Sequence, residues 1–336
     1  MKWYNKEGDT SPIISCRVRL ARNLKAYPFL NKLGDQEAEK MISEVIEAAM
    51  VHENFAFTYI DLAEQSDSQR KSLVEHHKIS MELFRSRAPR GLLSSGDDTL
   101  HIMLNEEDHI RIQSIAPGKN IEKAYNKANY IDNLIEEKLA FAFDERWGYL
   151  TSCPTNTGTG MRASYMLHLP MLESGGRLPR IINSLSSFGM TIRGLYGEGS
   201  EPIGSIYQIS NQVTLGKSEE EMIESLQNIT GQIVRSEMDL LEEKLTKNRI
   251  SFEDKVYRAY GTLKYARSMD IKEARVLLST LRVGVVAGLL RDVLGHASIY
   301  GLMMDIDDGS LRLNMGAKLR GEELDVARAS FISQRI

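Results

Sequence analysis

The sequence predicts an α+β protein in which an antiparallel sheet flanked by helices is followed by an all-helical C-terminal domain. Short β-prone segments alternate with amphipathic helical segments as far as about residue 215, and the periodic segments beyond it are helical. A chain of 336 residues is long enough for about two domains. We therefore predict a mixed α+β domain over residues 1–215 and a helical domain over residues 216–336.

The elements of the first third of the chain follow from apolar spacing. Residues 36–53 carry apolar side chains at three- and four-residue intervals, which predicts an amphipathic helix. Two β-prone runs, 99–104 and 110–115, flank the polar sequence NEEDH and predict a hairpin with an acidic tip. A long helix is predicted to follow over residues 121–143.

The middle of the chain returns to strands. A short helix is predicted to end near Gly189, and strands are predicted over residues 190–193 and 205–215. The loop between these strands, GLYGEGSEPIG, contains four glycines, which indicates a segment able to close over a ligand.

The sequence pattern in the last third of the chain predicts helices whose first residues can be identified. Ser218 and Glu221 form a capping box ahead of an apolar stripe, and Ser251 with Asp254 predicts the start of a second helix. A third helix is predicted over residues 271–290.

Composition excludes several classes of protein. The net charge of −4 argues against a broad basic face for nucleic acid, so no direct nucleic-acid partner is expected. Cys16 and Cys153 are far apart, which indicates neither a zinc site nor a disulfide framework and fits a cytoplasmic protein. No apolar run approaches the roughly 18 residues of a membrane span, so no membrane association is predicted.

Arginine is the residue that points to phosphate chemistry. The sequence lacks both the P-loop motif and the glycine loop of protein kinases with its HRD and DFG partners. Arg17 and Arg19 are two residues apart, so a strand would place both on one face, where their repulsion favours a bound anion. Arg111 and Arg162 close the motifs NEEDHIR and CPTNTGTGMR. On its own, the Arg-x-Arg pair is more often a solvated surface pair.

Four motifs in order carry a family resemblance. SCRVRLARN, NEEDHIR, FDERWGYLTSCPTNTGTGMR and RGLYGEGSE together resemble the catalytic domain of the phosphagen (guanidino) kinases, over about residues 10–215. Within that superfamily the chain is most similar to the bacterial protein arginine kinases. The tail from GHASIYGLMMDI to ELDVARASFI resembles their C-terminal domain. The resemblance implies a kinase that uses ATP and Mg²⁺.

The resemblance also implies roles for individual residues. Glu107, Glu201 and Cys153 are implied as catalytic residues, the two glutamates holding the guanidinium. The arginines implied to bind the ATP phosphates are Arg17, Arg19, Arg111 and Arg162. Small-guanidino kinases carry one more arginine where this chain has Tyr196, so Arg193 is our candidate for that contact.

The chemistry agrees with this allocation. A guanidinium has a pKa above roughly 12, so its nitrogen is a poor nucleophile until a carboxylate orients it and takes a proton. Phosphoryl transfer depends mainly on positioning and on charge stabilisation of the equatorial oxygens. Two glutamates and several arginines meet these needs.

Other residues keep simpler alternatives open. His109 is predicted to be structural, the glycines of GTG at 158–160 could form a turn or bind phosphate through backbone amides, and Cys153 could be a buried apolar side chain. Arg85, Arg87 and Arg90 form a basic cluster that could be solvated, contact an acidic partner or, as we favour, contact the nucleotide.

The tail carries a second implied site. Asp325 and Arg328 resemble part of the phosphoarginine-binding motif of the bacterial protein arginine kinases. Leu324 stands where that motif has an arginine. Phosphoarginine sensing and an ordinary helix with surface charges are therefore equally open alternatives.

The substrate prediction concerns access. Small-guanidino kinases have a helical domain ahead of the first motif, whereas here the motif begins at residue 15, so we expect an open pocket that admits arginine on a folded protein. The resemblance implies as partners a heat-shock repressor, misfolded proteins destined for a Clp ATPase and protease, a zinc-finger activator, and a second copy in a homodimer. The alternatives are a kinase of free arginine or another small guanidino compound, and an inactive adapter that binds phosphoarginine.

Overall fold

The computed structural model describes residues 3–5, 10–50, 55–85, 89–194, 203–290 and 298–336. The strands in these ranges are β1 (Ile13–Arg22), β2 (Thr58–Asp61), β3 (Gly91–Ser94), β4 (Leu100–Leu104), β5 (Ile110–Pro117), β6 (Phe143–Asp144), β7 (Gly148–Tyr149), β8 (Met161–His168), β9 (Met190–Gly194) and β10 (Ile206–Asn211).

The helices in the same ranges are α1 (Asp35–Met50), α2 (Asp67–Glu75), α3 (Met81–Arg85), α4 (Ile121–Glu136), α5 (Pro170–Ser174), α6 (Leu178–Ser186), α7 (Glu219–Lys247), α8 (Arg249–Tyr265), α9 (Ile271–Val286), α10 (Ile299–Asp305), α11 (Asp308–Met315) and α12 (Glu322–Ser333). Within the part of the chain described, no helix has both the length and the apolar run needed to cross a membrane.

Eight of the strands form one antiparallel sheet, in the order β2-β3-β4-β5-β1-β8-β10-β9. The first strand of the chain lies at its centre, between β5 and β8. The predicted α+β class, with an antiparallel sheet flanked by helices and a helical C-terminal region, is confirmed.

The two faces of the sheet bury two different cores. On one face Val18, Leu20 and Ile112 pack with Ile131 of α4 and Leu226 of α7. Successive strand residues point to opposite faces, so alternate apolar side chains of β1 supply this core while the residues between them face the other way.

The opposite face is covered in part by the C-terminal helices. Ile115 of β5, Met166 of β8 and Ile206 of β10 lie in one core with Leu278 of α9 and Tyr300 of α10. The rest of this face carries the arginines described below. The long helix α7 contributes to both cores, so the predicted boundary at residue 215 stays a prediction.

Most predicted elements are present, but the residues at which several of them end were predicted wrongly. The helix predicted over 121–143 ends at Glu136, because Phe141 forms a β-bridge with Leu24 and residues 143–144 pair in a hairpin. The strand predicted over 205–215 ends at Asn211, whose side-chain Oδ1 accepts from the backbone of Ala163 at 2.7 Å.

Of the predicted helix starts, one is confirmed and one is wrong. The capping box at Ser218 is confirmed, since its hydroxyl accepts from the backbone of Glu221. The helix predicted to open at Ser251 begins at Arg249 instead. The helices predicted over 36–53 and 271–290 run over 35–50 and 271–286, with residues 51–53 of the former outside the described ranges.

A buried histidine in β4 makes stability depend on pH. Burial, followed by the Lys78 ammonium, lowers the pKa of His101 to about 4. In the unfolded chain His101 takes up a proton near pH 6.5, whereas in the folded chain it stays neutral until about pH 4. The free energy of unfolding is therefore highest above pH 6.5, and this contribution is lost as pH falls toward 4.

We expect His101→Gln to remove this part of the acid sensitivity. Wild-type protein should lose about 2 kcal/mol more unfolding free energy than the variant between pH 7 and pH 5, measured by urea denaturation at both values. Equal losses in the two proteins would show that His101 does not contribute.

Candidate active site

The arginines predicted to bind phosphate lie together on one face of the sheet. The register pairs Arg19 of β1 with Arg162 of β8, and Ala21 with Arg111 of β5. Residues paired across antiparallel strands point to the same face, so these side chains and that of Arg17 share it.

Arg193 joins them from the far side of β8. It pairs with Gln208 of β10, which in turn pairs with Met166 of β8 on that same face. The arginine face is therefore built by β1, β5, β8 and β9, and it carries Arg17, Arg19, Arg111, Arg162 and Arg193.

Two adjoining cavities open over the arginine face. The larger, of about 460 Å³, is lined by Arg19, Arg162 and Arg193 together with Arg111, Glu107 and Cys153, among others. The smaller, of about 170 Å³, shares the first three arginines and adds Arg17 and residues of the 77–81 segment. The five arginines, Glu107 and Cys153 thus meet in one groove, whereas Arg85 and Arg90 line neither cavity.

The electrostatics of the groove favour an anion. Arg17 donates to the neutral amide oxygens of Gln208 at 2.8 Å and Gln113 at 3.5 Å. Arg19 has no hydrogen-bond or ion-pair partner among the residues that the structure describes. Neither contact supplies a negative charge, so among the described residues Arg17 and Arg19 form no ion pair, and Glu106 offsets only part of the positive charge around Arg19.

The pKa values report the same imbalance. Burial, together with the nearby Arg162 and Arg111, lowers the pKa of Arg17 to about 10. Burial first, and then Arg17, Arg111 and Arg162, lower the pKa of Arg19 well below its usual value. A bound polyphosphate would reverse these effects, because an opposite charge within a few ångströms favours the cation.

The acidic tip NEEDH supplies two carboxylates that differ in their exposure to solvent. Glu106 is buried and accepts from Arg111 Nη1 at 2.7 Å, whereas Glu107 accepts from Arg111 Nη2 at 2.8 Å with 37% of its side chain exposed. Because Glu107 lines the larger cavity and retains solvent access, it is the member of the pair able to meet an incoming guanidinium.

The rest of the tip is structural. The carboxylate of Asp108 accepts from Asn23 at 2.7 Å and from the Ser152 backbone at 2.6 Å. His109 Nδ1 accepts from the Leu24 backbone at 3.0 Å, so its Nε2 carries the proton donated to the Pro28 carbonyl at 2.9 Å. The two residues tie the tip to the segment that follows β1 and to the loop that carries Cys153.

Cys153 lies on the wall of the larger cavity and is partly exposed. Its Sγ is 3.0 Å from the hydroxyl of Thr155. The thiol therefore lines the same cavity as Glu107. Its catalytic role stays a prediction, and the buried, purely apolar alternative does not match its exposure.

The glycines of GTG allow close packing of backbone. Gly158 has φ +119°, and a Cβ there would lie 2.4 Å from the Thr214 carbonyl oxygen. Gly160 has φ +65°, and a Cβ at this position would lie 2.6 Å from the Ala21 carbonyl oxygen. The amides of Gly158 and Thr159 donate to backbone carbonyls of the chain, so the structural role of this loop explains both glycines.

Some predicted residues cannot be placed. Glu201, Tyr196 and Arg87 lie outside the described residues. Arg85 is exposed at the end of α3. The Nε and Nη1 atoms of Arg90 are buried without a hydrogen-bond partner in the part of the chain described, which leaves two donors for an acceptor such as a phosphate.

Of the C-terminal pair predicted to bind phosphoarginine, Arg328 is buried and Asp325 is partly exposed. Arg328 has 1% of its side chain exposed and donates to the carbonyls of Ile306 at 3.1 Å and Met269 at 2.9 Å, to Asp308 at 2.9 Å, and to Asp325. These partners tie α12 to the ends of α9 and α10. The phosphoarginine role of Asp325 and Arg328 stays a prediction.

Sequence reasoning missed several residues of the groove. Gln113, Gln208, His77 and Ser80 contact or line it, but each is an isolated polar residue outside any motif. Alternation along β5 could have assigned Gln113 to the face of Arg111, two residues earlier, whereas Gln208 of β10 could be assigned only with the strand register.

The groove fits a metal that arrives with the nucleotide. In the described ranges no group of three or more His, Cys, Asp and Glu residues could hold a metal ion. Mg²⁺ is commonly held by one or two carboxylates and by substrate phosphates, so the site needs no protein cage. Glu107 is a partly exposed carboxylate on the cavity wall that would be available to such an ion.

Comparison with known proteins identifies two matching regions. Residues 37–240 match the family described as ATP:guanido phosphotransferase, C-terminal catalytic domain, and residues 249–336 match the Protein-arginine kinase McsB C-terminal domain. The first match begins after β1, so it does not include Arg17 and Arg19.

Similar proteins cover nearly the whole chain. The chain is 42% identical to a Protein-arginine kinase of Clostridium kluyveri over 96% of its length and 94% of the relative. It is also 42% identical to one of Caldanaerobacter subterraneus subsp. tengcongensis, covering 98% of each. A solved lombricine kinase shares the fold, with a TM-score of 0.62 and 24% identity over 70% of this chain and 69% of that chain.

Proposed function

Since this chain belongs to the ATP:guanido phosphotransferase family, we propose that it is a protein-arginine kinase. It transfers the terminal phosphoryl group of ATP to the guanidinium of arginine side chains in proteins. The observation that carries the proposal is the convergence of five arginines from four strands on one groove, with Glu107 and Cys153 on its wall.

The arginines bind and neutralise the triphosphate. Arg19 and Arg162 are directly opposed across β1 and β8, so an anion between them relieves the repulsion that the folded chain otherwise bears. The planar fork of arginine matches pairs of phosphate oxygens. Mg²⁺, when bound with the nucleotide, supplies further charge neutralisation. Positioning and charge stabilisation of this kind account for most of phosphoryl-transfer catalysis.

The carboxylates act on the acceptor. Glu107, and in our proposal Glu201, orient the substrate guanidinium so that one nitrogen faces the terminal phosphorus. The nitrogen lone pair forms the N–P bond, the bond from that phosphorus to the bridging oxygen breaks, and ADP leaves. The proton released by the nitrogen passes to a carboxylate, in our proposal that of Glu107, whose position on the cavity wall supports this role.

Protein arginine is favoured over a small guanidine by the relatives. Those at 42% identity over nearly the full chain are named protein-arginine kinases, whereas the lombricine kinase similarity concerns the fold alone. The match of residues 249–336 to the C-terminal domain of protein-arginine kinases supports the same choice.

The cellular role forms the wider part of the proposal. We propose that the modification marks misfolded proteins for a Clp ATPase and protease and controls a heat-shock repressor in the cytoplasm. A zinc-finger protein is the proposed activator, and a homodimer the proposed state. Asp325 and Arg328 are proposed to bind phosphoarginine. The sequence resemblance of the tail supports these proposals.

An acceptor competition tests the activity. Purified protein is incubated with γ-labelled ATP, Mg²⁺, casein and free arginine, with samples kept at neutral or alkaline pH because the N–P bond is acid-labile. We expect label on casein arginines, located by mass spectrometry under non-acidic handling. Transfer mainly to free arginine would support the small-guanidine kinase. No transfer to either, with phosphoarginine protein retained on the chain, would support the inactive adapter.

A further inference from the structure

One short segment of the catalytic half is held by the C-terminal helices. Glu75, at the end of α2, accepts from the backbones of Gly309 at 2.9 Å and Ser310 at 2.7 Å, in the first turn of α11. The neighbouring His76 Nε2 lies 3.1 Å from a carboxylate oxygen of Asp305. Residues 75–81, which join α2 to α3, therefore take their position from helices more than 200 residues away in the chain.

His77 makes the deepest of these contacts. Its Nε2 is 2.6 Å from the hydroxyl of Tyr300 in α10, and the two rings lie in nearly parallel planes, with an interplanar angle of 4° and centroids 6.3 Å apart. His77 also has φ +59°, a conformation that a residue with a side chain rarely adopts. Such backbone strain is kept where surrounding contacts enforce it, and it is found most often at functional sites.

The other side of His77 faces the arginine groove. Its carbonyl accepts from Gln113 Nε2 at 2.6 Å, and the side-chain oxygen of Gln113 accepts from Arg17 at 3.5 Å. His77 and Ser80 line the smaller cavity together with Arg17 and Arg19. An unbroken series of contacts therefore joins Tyr300 to the side chains assigned to phosphate.

Ser80 extends the same segment to the acidic tip. Its hydroxyl donates to Glu106 at 2.5 Å, and Glu106 accepts in turn from Arg111 at 2.7 Å. A shift of residues 77–80 would therefore displace the wall of the smaller cavity and the support of Arg111 together.

We propose that Tyr300 is a positioning residue for the nucleotide: through His77 it holds the 77–80 segment so that Arg17 and Gln113 meet the triphosphate. The C-terminal helices thereby set nucleotide affinity without contacting the nucleotide. The inference rests on the proposed function only in taking ATP as the ligand of the groove.

The sequence offers a matched pair of variants for the test. Tyr300→Phe deletes a hydroxyl that pairs with a buried histidine, His77. Ser279→Ala deletes a hydroxyl of α9 that lies 2.7 Å from Nε2 of another buried histidine, His168, across the same interface. Both variants lose one interface hydrogen bond, but His168 does not line the groove described above.

The measurement is ATP binding by the full chain. Isothermal titration with ATP and Mg²⁺ should show a Kd about five- to tenfold higher for Tyr300→Phe and within about twofold of wild type for Ser279→Ala, a size typical of weak coupling between sites. In steady state, Tyr300→Phe should raise KM for ATP and recover its kcat at saturating ATP, with KM for the protein acceptor unchanged.

The outcomes separate a positioning role from a structural one. An unchanged Kd for Tyr300→Phe, or equal losses of affinity in both variants, would overturn the proposal. Should Tyr300→Phe fail to fold, His77→Asn serves instead, because asparagine tolerates positive φ, keeps the carbonyl and is too short to reach Tyr300; an unchanged Kd there would equally overturn it. Wild-type protein that binds ATP but phosphorylates no arginine would refute the proposed function and leave this test intact.

Discussion

Glu107→Gln should lower kcat for phosphoryl transfer to protein arginine by about 100-fold or more while leaving KM for ATP near the wild-type value. Glutamine keeps an oxygen for Arg111, which now donates to Glu107 at 2.8 Å, so the groove should hold its shape. It cannot take the guanidinium proton or offset the guanidinium charge, and loss of a positioned general base typically costs 10²–10⁴ in rate. Initial rates with γ-labelled ATP and casein at saturating ATP measure the effect.

Glu82 provides the control for this assignment. It also lines the larger cavity but is exposed at the start of α3. We expect Glu82→Gln to retain kcat within about threefold of wild type. Solvent and salt screen an exposed carboxylate, so its charge has little electrostatic effect on the reacting atoms. Comparable losses in both variants, or undiminished transfer by Glu107→Gln, would show that Glu107 is not the carboxylate that acts on the guanidinium.

Arg19→Met should have opposite effects on activity and on stability. We expect kcat/KM for ATP to fall by about 1,000-fold, since each arginine that stabilises transferring phosphoryl charge contributes roughly 10³–10⁵. The same change removes a partly buried cation that lacks an ion-pair partner in the described part of the chain and whose pKa is lowered by burial and by neighbouring arginines. The free energy of unfolding should therefore rise by about 1 kcal/mol or more.

Thermal unfolding in the absence of nucleotide checks the second half of this prediction. Arg19→Met should raise Tm by roughly 2 °C or more, whereas addition of ATP should raise the Tm of wild type and not that of the variant. Arg180→Met, on the exposed face of α6, is the control and should change neither property. A destabilised Arg19→Met that binds ATP normally would mean that Arg19 has a structural role instead.

The part of the site that could be predicted is the part that depends only on residues close together in the sequence. Arg17 and Arg19 share a face because side chains of a strand alternate, and this needs no knowledge of the partner strands. The acidic hairpin tip between β4 and β5 follows in the same way from two β-prone runs around NEEDH. The family motifs added Arg111 and Arg162 before any geometry was known.

Element ends could not be predicted from the same local patterns. The helix after Ile121 keeps its apolar spacing beyond Glu136, yet the chain leaves the helix because Phe141 pairs with Leu24, more than 100 residues earlier. The start of α8 is similar, because Asn248 follows α7 directly and the polar residues at 251 and 254 lie inside the helix.

By itself, then, the amino-acid order determined the fold class, the family and the identity of the arginines that meet in the groove, because periodicity and motifs depend on residues close in the chain. Only the tertiary structure decided that Arg162 stands opposite Arg19, that Arg328 is buried, and that His77 meets Tyr300 beneath the groove. These facts depend on strand register and on packing between segments that are distant in sequence, and their energies arise only when the segments meet.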